Sequence, residues 1–184
     1  VRPVSSIKKY HQRKDQVIMF GTVEPRKNIP FIVDLWPEVC RGLNRPIKLI
    51  IAGRTGWGKV TIERTELIDR IERVTDEERD ALFSEARLVL VPSLHEGFGR
   101  VALEAMSSGT PVIASRAGAH PEVIGDTGTL LDPQDAKGWI KAISELISSQ
   151  EQWHEQQRRG IQQSEKFRWE IVARQILAEI AKNC

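Results

Sequence analysis

Residues Pro92–Gly109 read PSLHEGFGRVALEAMSSG. Just before them, Leu88-Val89-Leu90-Val91 is a short apolar run closed by Pro92, the pattern of a buried parallel strand. A loop follows with glycines at positions 97 and 99. From Arg100 the pattern turns helical, with Val101, Leu103, Ala105 and Met106 apolar and Gly109 as a stop. The predicted unit is therefore a strand, a glycine-rich turn and a helix N-terminus. Such a unit suits an anion. Glycines let a ligand approach the backbone, and the free amides of the first helical turn point at it along the positive end of the dipole.

Two carboxylates frame this turn. Glu96 lies just before the glycines, and Glu104 lies about one turn beyond Arg100, roughly 6 Å along the axis. An ionised carboxylate only accepts hydrogen bonds and can take two hydroxyls at once. Phosphates on the turn with sugar rings on either side, as in a nucleotide sugar, would satisfy both acids. The same spacing also fits a packing turn flanked by two solvated acids.

Working outward, Gln16–Gly21 (QVIMFG) is a predicted strand, followed by Thr22-Val-Glu-Pro-Arg-Lys-Asn28 and a helix from Pro30 to Arg41 that Gly42 ends. Arg26 and Lys27 at this strand end are a second place for a phosphate, or else a surface basic pair. Ile47–Ala52 is the second strand and Gly53–Gly58 a loop. Thr61–Arg70 reads as a helix and Ile71–Val74 as a short strand. Thr75 opens a helix with a capping box to Glu78. Pro111–Ser115 and Gly128–Leu131 are further strands. Asp135 caps a helix over Ala136–Ser148, Glu151–Lys166 is a polar helix with Trp153 as packing, and Trp169–Ala181 is amphipathic. His120 reads as an exposed turn histidine, and His95, beside Glu96, as a candidate contact to the donor or acceptor sugar. The alternation predicts a doubly wound, mostly parallel, Rossmann-like α/β sheet of about six strands. Gly21, Gly53 and Pro92 all follow strand ends, so their loops can converge on one crevice.

Bulk properties bound the partners. A length of 184 residues predicts one domain, and a net charge of +2 offers no field for nucleic acid. Residues 1–15 read as a basic, solvated linker carrying Arg2, Lys8, Lys9, Arg13 and Lys14, and residues 16–184 as the domain. Cys40, read as a buried thiol, and Cys184 form no disulfide framework, which fits a reducing cytosol. No apolar run is long enough to span a bilayer, so any membrane contact is expected to be peripheral, at the inner face of the plasma membrane.

Glu96-Gly-Phe-Gly-Arg-Val-Ala-Leu-Glu104 resembles the E-x7-E signature of retaining glycosyltransferases with the two-Rossmann-domain (GT-B) architecture, most closely family 4. Pro92-Ser93, Glu104-Ala105-Met106 and Gly109-Thr110-Pro111-Val112-Ile113 are similar as well, and the resemblance runs from Val17 to the C-terminus. It implies a C-terminal, donor-binding half, with the N-terminal acceptor domain absent from this chain. It implies that Glu104 holds the ribose, Glu96 the transferred sugar, and the backbone at Gly97, Phe98, Gly99 and Val101 the sugar and diphosphate. Lys27, with Arg26, would stabilise the leaving diphosphate, and the loop at Arg73-Val74 would border the base. Many relatives carry Gly-Arg where this chain has Gly21-Thr22, so Arg26 is expected to supply that charge, and Arg100 is a candidate extra phosphate contact. No metal or other cofactor is implied. The Glu-Pro-Arg-Lys-Asn run is similar to mannosyltransferase-like members and suggests GDP-mannose as donor, with UDP-sugars as runner-up. Two other readings stay open: a non-catalytic nucleotide-binding module, and a doubly wound interaction domain that binds no nucleotide sugar.

Overall fold

The computed structural model describes residues 7–182; Arg2 and Cys184 lie outside the described residues. Six strands form a single parallel sheet: β1 (Gln16–Phe20), β2 (Lys48–Ala52), β3 (Ile68–Ile71), β4 (Leu88–Val91), β5 (Val112–Ser115) and β6 (Thr129–Leu131). Their order is β3-β2-β1-β4-β5-β6. The strand order therefore reverses between β1 and β4, and a crevice opens there at the carboxyl edge. This is the doubly wound α/β fold that the sequence pattern predicts.

The helices are α1 (Ile29–Leu43), α2 (Asp76–Glu85), α3 (Arg100–Ser107), α4 (His120–Ile124), α5 (Ala136–Ser148), α6 (Gln150–Glu165) and α7 (Trp169–Lys182). Inward residues of the strands alternate between two cores. One core packs Val17, Leu49 and Leu90 under Ile32 and Trp36 of α1 and Trp139 and Ile143 of α5. The other packs Ile18, Val89 and Val112 under Phe83 of α2, Leu103 of α3 and Val123 of α4. Helix α6 packs on both α3 and α5, and its fully buried Trp153 donates from Nε1 to Arg87 O at 2.6 Å. Trp153 is thus a packing residue, as expected.

Local signals placed several boundaries well. Thr75 accepts from Glu78 N at 3.2 Å while Glu78 Oε2 accepts from Thr75 N at 2.8 Å, so the capping box forms. Asp135 caps α5 through Gly138 N at 3.0 Å. Other expectations change. Helix α1 passes through Gly42 and ends at Asn44, which takes a left-handed φ of 56°. Gly42 is instead a packing position, because a Cβ there would lie 3.1 Å from Ser144 Oγ of α5. No helix forms over 61–70. Thr65 Oγ1 accepts from Leu67 N and Ile68 N at 3.2 and 3.1 Å, a local turn that competes with helix. The strand read at 71–74 sits instead at Ile68–Ile71, with Ile68 and Arg70 on its buried side. Cys40 is half-buried rather than buried, its Sγ facing Ile47 O at 3.7 Å.

The segment read as a solvated linker packs against the domain over its described part. Tyr10 is buried, with its ring edge-on to Trp153 at 5.5 Å. Arg13 is buried and donates to Lys8 O, Phe83 O, Ala86 O, Ser108 O, Gly109 O and Thr110 Oγ1. One guanidinium thus holds the carbonyl ends of α2 and α3.

Candidate functional site

Strands β1 and β2 both end in glycine with a positive φ, 133° at Gly21 and 134° at Gly53. A Cβ on Gly53 would lie 2.2 Å from Gly21 O, so this close approach excludes side chains and keeps the strand ends open. After Gly21 the chain makes a short 3-10 helix, Pro25–Lys27, which turns Lys27 back toward the switch point. Leu94 N donates to Arg26 O at 2.8 Å, tying this turn to the loop after β4.

The two loops meet in an ion cluster. Lys27 Nζ donates to Glu96 Oε2 at 2.6 Å, and both side chains are largely buried. Arg26 Nη1 stands 3.7 Å from the same oxygen and donates to His95 O at 3.3 Å. Its Nε pairs with Glu24 at 2.5 Å, and the fully buried Ser93 donates from Oγ to Glu96 Oε2 at 3.4 Å. Burial pushes the Glu96 carboxyl up. The Lys27 hydrogen bond and the charges of Lys27 and Arg26 outweigh that and hold it below the usual carboxylate range. Glu96 is thus held as an anion, with two cations at its side.

The turn of positions 97–99 leads into α3. Gly99 precedes the helix with a φ of 83°, and the first amides of α3 have no intrahelical acceptor. Gly97 has open space where a Cβ would stand, whereas Phe98 is 53% exposed with its ring edge toward Phe167. The His95 side chain is exposed, and the cluster uses its carbonyl instead. Val101 is half-buried on α3. Glu104 is half-buried, 3.1 Å from the exposed Arg100 and 3.7 Å from Arg79 Nε on α2.

Lys27 leads into α1 on one face of the sheet and Glu104 rides on α3 on the other, yet both elements start at the carboxyl edge of the neighbouring strands β1 and β4. Gly21 and Thr22 join two hollows there. One is a narrow cleft lined by Lys27, Pro92 and Ser93. The other is a pocket of 330 Å³ lined by Gly53, Arg54, Glu72, Arg73 and Val74. Helix α2 follows that second loop and carries Arg79, whose Nε stands 3.7 Å from Glu104 of α3. Among the described residues, no group of three or more His, Cys, Asp and Glu is placed to hold a metal ion.

His120 is not an exposed turn residue. Its ring is fully buried, and Nδ1 lies 2.8 Å from Ser115 O. The reading of exposure missed that α4 folds under the turn of positions 97–99: a Cβ on Gly99 would meet His120 Cδ2 at 3.3 Å. Burial pushes the His120 pKa down and Lys27 adds to that, while the Ser115 hydrogen bond and Glu96 oppose it, with a net lowering. Glu24, Ser93 and Arg79 also went unread. Arg79 reaches Glu104 from a neighbouring helix, while Glu24 and Ser93 lie two and three residues from Arg26 and Glu96 and meet them through the turn geometry.

The sequence model described as "Glycosyl transferases group 1" matches residues 5–166. The chain belongs to the glycosyl transferases group 1 family. A relative, the O-antigen chain mannosyltransferase B of Escherichia coli, is 35% identical over 170 residues, 87% of this chain and 44% of that protein. The chain thus spans less than half the length of this curated relative. Among solved structures, the C-terminal domain of the group 1 protein LpcC from Francisella tularensis aligns with a TM-score of 0.72 at 21% identity, covering 91% of this chain and 95% of that one. Anabaena HepE in complex with UDP and glucose aligns with a TM-score of 0.74 at 20% identity, covering 95% of this chain and 50% of that one. The group 1 chain described here therefore has the fold of the C-terminal half of a GT-B glycosyltransferase.

Proposed function

We propose that this domain holds the donor in a retaining glycosyltransferase that moves a sugar, mannose in the first instance, from a nucleoside diphosphate to a glycan or lipid-linked acceptor. The observation that carries the proposal is the Lys27–Glu96 pair at the switch point, with Glu96 four residues before the N-terminus of α3, whose first amides have no intrahelical acceptor. A diphosphate would take Lys27 and Arg26 as counter-charges and the α3 amides as hydrogen-bond donors. Glu96, released from Lys27, would then accept hydroxyls of the transferred sugar. The base would lie in the pocket at Arg73 and Val74, with the ribose held by Glu104. The leaving diphosphate would draw its proton from the acceptor on the same face of the sugar, and the configuration would be kept. The E. coli relative named for mannose transfer favours GDP-mannose, while the neighbour holding UDP and glucose keeps UDP-sugars as runner-up.

The test is calorimetric titration of this chain with GDP-mannose and UDP-glucose, followed by transfer assays after joining an acceptor-binding half. We expect weak donor binding and no turnover by the chain alone, and turnover once the halves are joined. If neither nucleotide sugar binds, the domain is an interaction module. If donor binds and the joined protein transfers nothing, it is a non-catalytic nucleotide-binding module.

A further inference from the structure

His120 carries an unused atom. A carbonyl oxygen only accepts, so the 2.8 Å contact to Ser115 O assigns the proton to Nδ1. In the neutral ring Nε2 is then a bare acceptor. It is buried, and among the described residues it has no hydrogen-bond partner. Buried polar atoms are nearly always paired, so this one calls for an account.

The ring also sits where the proposed donor site is built. Ala119 N donates to Glu96 O at 3.0 Å, and a Cβ on Gly118 would fall 2.1 Å from that oxygen. The turn into α4 therefore clamps the backbone of Glu96, and the His120 ring forms the floor under Gly99. The charges that act on it are Glu96, from the loop after β4, and Lys27, from the 3-10 helix before α1. Strand β5 offers Ser115, which is uncharged, and α6, packed behind α4, offers Gln163 to Val123 O. Burial, with a smaller contribution from Lys27, disfavours the charged form of the ring.

We propose that His120 is a positioning residue for Glu96 and the turn of positions 97–99, and that it takes up one proton from solvent at Nε2 when a diphosphate settles on that turn. The inference rests on the donor-binding reading above. Burial is the main opponent of protonation and Lys27 the smaller one; a bound diphosphate neutralises Lys27 and adds negative charge beside Glu96, which favours the charged ring against its burial. The proton converts Nε2 from an unpaired acceptor into a charged donor. No other bond forms or breaks.

The experiment titrates the chain with GDP-mannose and with UDP-glucose near neutral pH, in two buffers of different ionisation enthalpy. A sugar-linked diphosphate has no titrating group there, so any buffer dependence belongs to the protein. We expect uptake of roughly half a proton or more per donor bound. His120→Asn, whose amide can still donate to Ser115 O, should abolish the uptake and remove the pH dependence of donor affinity near neutrality. Nitrogen NMR of labelled histidine in the unmutated chain should show Nε2 bare when free and protonated when saturated, which keeps the test independent of how the variant folds. Donor binding with no proton uptake, uptake that persists in His120→Asn, or a ring that stays neutral at saturation each overturns this inference and leaves the donor-binding reading standing. Failure of both nucleotide sugars to bind overturns the two together.

Discussion

Lys27 and Glu96 each answer a need of the other that water would otherwise meet. Breaking such a largely buried pair leaves one charge stranded, at a cost of about 3 kcal/mol, the low end of the usual range because the pair edges on an open crevice. Lys27→Ala should therefore lower stability in urea titration. It should also weaken nucleotide-sugar binding about ten- to a hundredfold, the worth of one charged hydrogen bond. A loss of stability with unchanged donor affinity would show the pair to be structural only. Acid probes the same groups. The folded-state pKa of Glu96 lies below its ordinary 4.5 and that of His120 below its ordinary 6.5. For both, the unfolded chain binds protons first as pH falls, so their stabilisation is complete above the ordinary value and is lost toward the folded one. The stability curve should begin to drop just below pH 6.5 through His120 and steepen below 4.5 through Glu96, and His120→Asn should flatten only the first part. That Lys27 and Glu96 follow strand ends was legible in the sequence, because each comes after a short apolar run; that the two side chains pair was not, since 69 residues separate them. His120 was not, because its burial depends on α4 folding under a turn some twenty residues earlier, a contact that only the tertiary structure makes.

At the level of elements, the glycines around the turn separate packing from binding. Gly118 has a φ of 54° and no room for a Cβ beside Glu96 O. Gly118→Ala should cost at least about 2 kcal/mol, since the left-handed backbone is strained and the clash is with backbone. Gly97 has open space instead. Gly97→Ala should leave the melting curve within about 0.5 kcal/mol, as exposed substitutions do, while its methyl intrudes where the sugar and diphosphate are proposed to lie. Thermal melts and donor titrations of the two variants should therefore diverge, and equal donor affinity of Gly97→Ala and the parent would remove the turn from the site. Element legibility follows the same division between local and distant causes. The capping box of Thr75 and the cap at Asp135 are written within four residues, and α2 and α5 start where expected. Strand β3 pairs only with β2 at the sheet edge, so its register comes from β2 and from the Thr65 turn rather than from its own pattern.

For the whole molecule, the doubly wound parallel sheet and its carboxyl-edge loops followed from alternating apolar runs, because a parallel sheet covered on both faces leaves few ways to wind the chain. What that pattern could not show is where the packed unit stops. Helix α7 buries none of its residues, and Ile176, Leu177 and Ile180 are more than half exposed. A helix of this length without packing is marginal in water, since nucleation costs more than its few hydrogen bonds return. The two cores close over β1–β6 and α1–α6 without it. Removing residues 169–184 should therefore change the urea stability of this chain by less than about 1 kcal/mol, and should lower any tendency to self-associate through the apolar stripe. Arg13→Met supplies the contrast. It strips donors from the carbonyl ends of α2 and α3 at the opposite edge of the sheet, and a cost of about 3 kcal/mol or more is expected. Equal losses from both changes would mean that α7 stabilises the domain through contacts its exposed stripe does not reveal.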